Sequence, residues 1–171
     1  MNAVYDGNFY EILIPEAKEG DLYEFRIHHY YGGYTEHCDP YGFGMELRPK
    51  HKSIVRDSNG YTFKDKKWMS NRSEMLDKPL NIYELHLGSW RKKVVEPSGE
   101  ETDGWYSYEE IAEPLITYLK ESGYNYVEFL PLSEHLCDES WGYQNTGFYA
   151  PTSRYGDMNG LKKLIDKLHQ N

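Results

Sequence analysis

From Pro79 onward the chain alternates strand, helix, strand, helix, and no other feature restricts its fold as much. Ile82 to Leu87 is a strand candidate. Ser107-Tyr108-Glu109-Glu110 has the spacing of a capping box, in which Ser and Glu side chains satisfy free amides at a helix start. Tyr108, Ile111, Ala112, Leu115, Ile116 and Leu119 then recur on one helical face, and Gly123 suits the left-handed C-cap. Pro114 is expected to kink or weaken this helix. Tyr126 to Leu130 is a second strand ended by Pro131, and Leu161, Leu164, Ile165 and Leu168 share one face of a second helix. Strands separated by a helix pair in parallel through a right-handed crossover. That order suits an open doubly wound sheet or a barrel alike. No Gly-rich phosphate loop follows either strand, which counts against a nucleotide-binding fold. The polar segment Arg91 to Gly104, with Pro97-Ser98-Gly99 as its turn, reads as an exposed excursion.

Before Pro79 the pattern is one of short strands and turns. Phe9 to Ile14 is an apolar run stopped by Pro15. Leu22 to Ile27 alternates, placing Tyr23, Phe25 and Ile27 on one face of a half-buried strand. Gly20-Asp21, Gly32-Gly33 and Asp39-Pro40-Tyr41-Gly42 supply turns. Ser53 to Val55 and Tyr61 to Phe63 flank Asn59-Gly60, a hairpin signal. These segments predict a β-sandwich portion over 1–78, ending in the charged connector Lys64 to Lys78, ahead of a second domain over 79–171.

Between the second strand and the second helix lies Trp141-Gly142-Tyr143-Gln144-Asn145-Thr146-Gly147-Phe148-Tyr149-Ala150-Pro151-Thr152-Ser153-Arg154-Tyr155-Gly156. Aromatic rings offer flat apolar faces with polar tips, which suit the C–H faces of sugars. The amide, guanidinium and hydroxyl groups beside them can orient sugar hydroxyls. The 17 tyrosines overall argue only weakly for sugar binding, because Tyr also favours strands.

With 28 acidic and 19 basic residues the formal charge is −9, which disfavours nucleic acid or an anionic membrane as the default partner. No run is apolar and long enough to span a bilayer, and no apolar N-terminal signal segment is present. Cys38 and Cys137 form neither a metal pair nor a dense disulfide framework. A long-range disulfide stays open, but two free thiols in a reducing cytosol is the simpler reading, and a cytoplasmic location is expected.

Three segments carry a family resemblance. Asn81-Ile82-Tyr83-Glu84-Leu85-His86-Leu87-Gly88-Ser89-Trp90, Glu128-Phe129-Leu130-Pro131-Leu132-Ser133-Glu134-His135, and the run from Trp141 to Gly156 resemble the bacterial 1,4-α-glucan (glycogen) branching enzymes of the α-amylase superfamily, glycoside hydrolase family 13. Upstream, Glu19-Gly20-Asp21-Leu22-Tyr23, Asp39-Pro40-Tyr41-Gly42 and Glu46-Leu47-Arg48-Pro49 look like the carbohydrate-binding module 48 that precedes the barrel in that family. The resemblance covers nearly the whole chain in the right order. It implies a β-sandwich portion followed by the first two βα units of a (β/α)8 TIM barrel. A complete barrel needs roughly 250 residues, so the resemblance implies a fragment whose catalytic Asp nucleophile, Glu acid/base and second Asp come from later strands. No catalytic residue is then expected in this chain.

The family's reaction cleaves an α-1,4 bond and transfers the released segment to a 6-hydroxyl. Retaining glycosyl transfer needs two carboxylates roughly 5 Å apart and no metal or organic cofactor. The implied partner is an α-glucan. By resemblance Tyr143 stacks on the sugar next to the cleaved bond, in preference to packing inside the loop. Trp141 is expected to pack within the loop more than to touch sugar. Gln144 is balanced between a sugar hydroxyl and bracing the loop. Arg154 and Tyr155 are expected to pin the loop to the second helix. Glu84, His86 and Glu128 sit in strand signals, where an interior position demands polar partners. A metal site from His86, Glu134 and His135 is conceivable, but that spacing is nonspecific, and no metal is expected. The rival readings are another α-amylase-superfamily enzyme, such as a trehalohydrolase or debranching enzyme, and a noncatalytic glucan-binding protein. The former often carry Trp-Gly-Tyr-Asp where this chain has Gln144.

Overall fold

The computed structural model describes residues 1–72, 78–94 and 104–171. The expected turn at Pro97-Ser98-Gly99 lies outside them. The strand–helix–strand–helix order is present as β7 (Ile82–Leu85), α3 (Tyr108–Ser122), β8 (Tyr126–Phe129) and α4 (Met158–Gln170), with a further short helix, α2 (Leu87–Trp90), beginning where the first strand was expected to reach Leu87. β7 and β8 pair in parallel, in register from Ile82 beside Tyr126 to Leu85 beside Phe129.

The capping box forms as its spacing requires. Ser107 Oγ accepts from the Glu110 amide at 3.2 Å, and Glu110 accepts from the Ser107 amide at 2.8 Å. Gly123 ends α3 in the left-handed conformation at φ 77°. The six predicted face residues of α3 are all buried, and the helix runs unbroken through Pro114 for 15 residues. Burial of that apolar face, at about 25 cal/mol per Å², outweighs the one amide that proline removes. Asp157 caps α4, accepting from the Gly160 amide at 2.9 Å.

Between the two helices Lys163 meets Glu109 at 2.7 Å and Lys167 meets Glu113 at 3.0 Å. Both partners advance in the same direction, so α3 and α4 run parallel, as successive crossover helices must. These exposed pairs contribute little. The helices are held by a core of Leu85, Leu87, Tyr108, Ile111, Leu115, Tyr155 and Leu164. The opposite face of β7 and β8, carrying Ile82, Glu84 and Glu128, is exposed.

The N-terminal half is built from antiparallel pairs. β1 (Asn2–Val4) pairs with β2 (Phe9–Glu11), β3 (Leu22–Tyr23) with β6 (Ser53–Ile54), and β4 (Phe25–His28) with β5 (Tyr34–His37). The stacked second sheet of a sandwich is not among the described residues. The alternating run from Leu22 breaks at Glu24, so its two halves pair with different partners, and Ile27 is half exposed. The hairpin expected around Asn59-Gly60 does not form. β6 is taken by β3, and Tyr61 to Phe63 instead runs against α4. There Tyr61 donates to Asp166 at 2.5 Å and the Lys64 amide donates to the same carboxylate at 2.9 Å. A side chain on Gly60 would sit 2.6 Å from Asn159, so this turn is specified by docking on α4.

The connector after Phe63 contains a helix that its charge concealed, α1 (Lys66–Asn71), which buries no residue of its own. Its attachment is through His169 of α4. The imidazole lies flat on Trp68 at 3.6 Å and is 2.7 Å from the Asp65 carboxylate. Asp65→Ala is therefore expected to cost roughly 1–2 kcal/mol locally. Amide exchange across Lys66–Asn71 should quicken about tenfold, while the core of α3 stays protected. Unchanged exchange there would show that the ring stack alone holds the helix.

Candidate functional site

The segment after β8 is a distorted hairpin where the sequence suggested only a loop. β9 (Ser133–His135) pairs antiparallel with β10 (Asn145–Pro151), with register shifts on either side of Gly147. A 3-10 turn, Asp138–Ser140, leads into Trp141. Trp141 and Gly142 both adopt positive φ, at 53° and 86°. A side chain at Gly142 would lie 2.5 Å from the Pro131 carbonyl oxygen, so glycine is required for the close approach as well as the turn. This double left-handed step reverses the chain and directs Tyr143 outwards. The Trp141 ring stacks on His86, at the end of β7, at 5.4 Å and 17°. The loop after β8 is thereby tied to the end of the neighbouring parallel strand.

Arg154 holds the hairpin together from inside. Its side chain and that of Glu134 are each 2% exposed and meet at 2.8 Å. The same guanidinium donates to the His135 carbonyl at 2.8 Å and to Asp138. Glu134 also accepts from Thr152 Oγ1 at 3.0 Å and from the Ser153 amide at 2.6 Å, so both its oxygens are engaged. Asp138 is shared with Arg48, whose Nε lies 2.9 Å away. Burial pushes the Asp138 carboxyl up, but the hydrogen bonds from Arg48 and Arg154 outweigh it and hold it down at about 2. One network thus joins β9, the 3-10 turn, the strand leading into α4 and the N-terminal half.

The expected roles of Arg154 and Tyr155 need correcting in their partners. Arg154 pins strand and turn, and Tyr155 packs edge-on against Tyr108, which opens α3 rather than the second helix, at 5.6 Å. Burial pushes the Tyr155 hydroxyl up to about 12.

Against this buried frame Tyr143 stands 70% exposed. It lines a cavity of about 240 Å³ together with Glu84, Glu128, Phe129, Leu130 and Pro131. Glu84 and Glu128 are direct neighbours in the parallel register. Gln144 is exposed and has no hydrogen-bond partner among the described residues. Trp141 is half exposed, with one face on His86. A larger cleft, about 1020 Å³, separates Met45 to Lys50 from the starts of α3 and α4. Both of those helix starts are already capped by their own side chains, and the tyrosines lining the cleft are buried. It offers no open ring face, and the Tyr143 side is the better candidate.

The three residues once conceivable as metal ligands have other employment. His86 faces Ser89 Oγ at 2.8 Å and His135 Nδ1 donates to the Ser133 carbonyl at 2.9 Å, while Glu134 is spent on the arginine network. Burial holds the His86 imidazole below its usual value, helped by the positive charge around it. Among the described residues no three His, Cys, Asp or Glu side chains are grouped to hold a metal. The described helices include none long and apolar enough to cross a membrane.

Asp138, Thr152 and Arg48 are the structural partners that sequence reasoning missed. The Asp138–Arg154, Thr152–Glu134 and Arg48–Asp138 pairings span 16, 18 and 90 residues of sequence, and no local pattern announces them.

No family model matches the chain. It is 47% identical over its full length to the 1,4-alpha-glucan branching enzyme GlgB 2 of Clostridium perfringens, covering 25% of that protein. It is 45% identical over its full length to the 1,4-alpha-glucan branching enzyme GlgB of Francisella tularensis subsp. novicida, covering 26%. A solved structure provisionally described as an alpha amylase from Salmonella typhimurium superposes with a TM-score of 0.66 at 25% identity, over 92% of this chain and 23% of that one. The chain spans about a quarter of the length of the curated relatives it matches. Along that quarter the whole chain is similar in sequence to proteins named 1,4-alpha-glucan branching enzymes.

Proposed function

We propose that this chain supplies one wall of the donor site of a glycogen-type branching enzyme, which cleaves α-1,4 glucan bonds and rebuilds the segment on a 6-hydroxyl. The observation that carries this is the placement of Tyr143. An open ring face is held on a buried arginine frame, beside the C-terminal ends of a parallel strand pair. Binding sites in (β/α)8 enzymes lie at that end of the strands. In this reading 79–171 opens such a barrel, and 1–78 is a carbohydrate-binding-module-48-like portion of a β-sandwich. Trp141 props the loop, and Gln144 is free to meet a sugar hydroxyl.

The catalytic carboxylates come from outside these 171 residues in this reading. Glu84 and Glu128 do not replace them. They are exposed neighbours in similar surroundings, and nothing around them sorts one into an acid and the other into a nucleophile. The chemistry calls on no cofactor, and a cytoplasmic setting with an α-glucan as partner completes the proposal.

The test is linkage analysis of amylose treated with an enzyme that carries this segment together with the missing carboxylates. New α-1,6 linkages without net release of reducing ends support branching. Reducing ends without new linkages would make the enzyme a hydrolase, in keeping with the alpha-amylase description of the structural neighbour.

A further inference from the structure

The strained turn ahead of Tyr143 is supported by a side chain from a different strand. Trp141 is a bulky residue at φ 53°, a left-handed conformation that persists only where its surroundings hold it. Its amide donates to the Asp138 carbonyl at 3.1 Å, and the Tyr143 amide donates to the Ser140 carbonyl at 3.0 Å. These bonds fix the backbone of the turn and leave the indole to be placed by what it touches. Among the described residues its ring contact is with His86, 5.4 Å away and 17° from parallel.

The imidazole is itself fixed from behind. His86 opens α2, its carbonyl accepting from the Ser89 and Trp90 amides at 3.2 and 3.1 Å. Its Nδ1 lies 2.8 Å from Ser89 Oγ. The turn rests on buried Tyr155, since any side chain at Gly88 would collide with the Tyr155 hydroxyl. Burial, then the nearby His135, Lys92 and Arg154, push the imidazole below its ordinary value. The ring lying on Trp141 is therefore uncharged at neutral pH.

We propose that, on the donor-site reading above, His86 is a positioning residue whose stack on Trp141 sets the direction of Tyr143. Only Gly142 separates the two aromatic residues, and it sits at φ 86° against the Pro131 carbonyl. A rotation released at Trp141 therefore passes directly to Tyr143. Losing the stack costs the site its preorganised geometry, while the buried Arg154 frame stays whole. His86 needs no contact with the sugar to act in this way.

The experiment has two readouts. In amide-resolved NMR of the 171-residue chain, His86→Ala should move the Trp141 indole and the amides of Gly142 to Gln144, with those of α3 unmoved. His86→Phe keeps a flat uncharged ring and should restore most of these signals. Ser89→Ala, which frees Nδ1 at an exposed position, should move the same amides by less. In an enzyme carrying this segment with its catalytic carboxylates, His86→Ala should lower kcat about two- to tenfold, the range of one aromatic pair. KM should stay within about twofold, and His86→Phe should recover most of the loss. In a Tyr143→Ala background His86→Ala should cost nothing further, because residues that act through one another are not additive. Losses that multiply, or signals from Trp141 to Gln144 unmoved by both the His86 and Ser89 alanines, would overturn the relay. So would a normal kcat in His86→Ala beside a damaged Tyr143→Ala, which leaves the donor-site reading standing. Normal turnover in Tyr143→Ala itself would sink both.

Discussion

Arg154→Ala is expected to destabilise the chain by about 3–5 kcal/mol, the range for breaking a buried ion pair by removing one partner. Glu134 keeps its bonds from Thr152 and Ser153 but is left as a charge without its cation, in a site where it is 2% exposed. The His135 carbonyl loses a donor in the same step. Domains of this size are stable by only about 5–15 kcal/mol in total, so a urea melt of the variant should shift far to the left. Arg154→Lys should recover only part of the loss, because an ammonium cannot span Glu134, Asp138 and the carbonyl at once. A loss below about 1 kcal/mol for alanine would mean that the frame is not what holds the hairpin. The network also has an acid limit. The folded carboxyl of Asp138 is depressed from 3.8 to about 2, so its contribution is fully present above pH 3.8 and is lost as the pH falls through about 2. The group is partly exposed, and the loss should be modest and screened by salt.

The other large expected effect is a complete absence of turnover. The purified 171-residue chain should form no α-1,6 linkages from amylose and release no reducing ends. Binding surfaces alone supply neither a nucleophile nor a proton donor. The chain's own candidate pair, Glu84 and Glu128, sits on adjacent strands with both members open to solvent. Iodine staining and linkage analysis of the purified chain check this. Activity that persists through purification and disappears in Glu84→Gln or Glu128→Gln would move the catalytic role to that pair.

The helical half of the fold was legible because its signals are local. The Ser107 box, the apolar face from Tyr108 to Leu119 and Gly123 each act within a turn or two, and all are realised. Tyr126 to Leu130 was recognisable as a strand from its apolar run, and parallel pairing followed from the helix between it and Ile82. The N-terminal half was harder. Asn59-Gly60 carries hairpin residues, but β3 captures β6, and α4 captures Tyr61 through a carboxylate 105 residues away. The hairpin between Pro131 and Thr152 was hidden by its glycines and aromatics, which read as loop, although β9 and β10 do pair there. At the candidate site the aromatic run pointed to Tyr143, Trp141 and Gln144. The frame that positions them depends on where Arg154 ends up, and a single buried arginine looks no different in sequence from one on the surface.

The most direct test of Tyr143 as the sugar-facing wall is steady-state branching by an enzyme carrying this segment and its catalytic carboxylates. Wild type should be compared with Tyr143→Ala and Tyr143→Phe, with melting temperatures measured alongside. An aromatic contact is worth on the order of 1 kcal/mol beyond burial, and a contact that tightens in the transition state lowers kcat as well as affinity. Alanine should therefore lose at least about fivefold in kcat, and phenylalanine should stay near wild type. The melting temperature should hardly move, since the ring is 70% exposed. An alanine variant with normal turnover, or one whose loss is fully accounted for by unfolding, would contradict the role. Equal damage from phenylalanine and alanine would transfer it from the ring face to the hydroxyl.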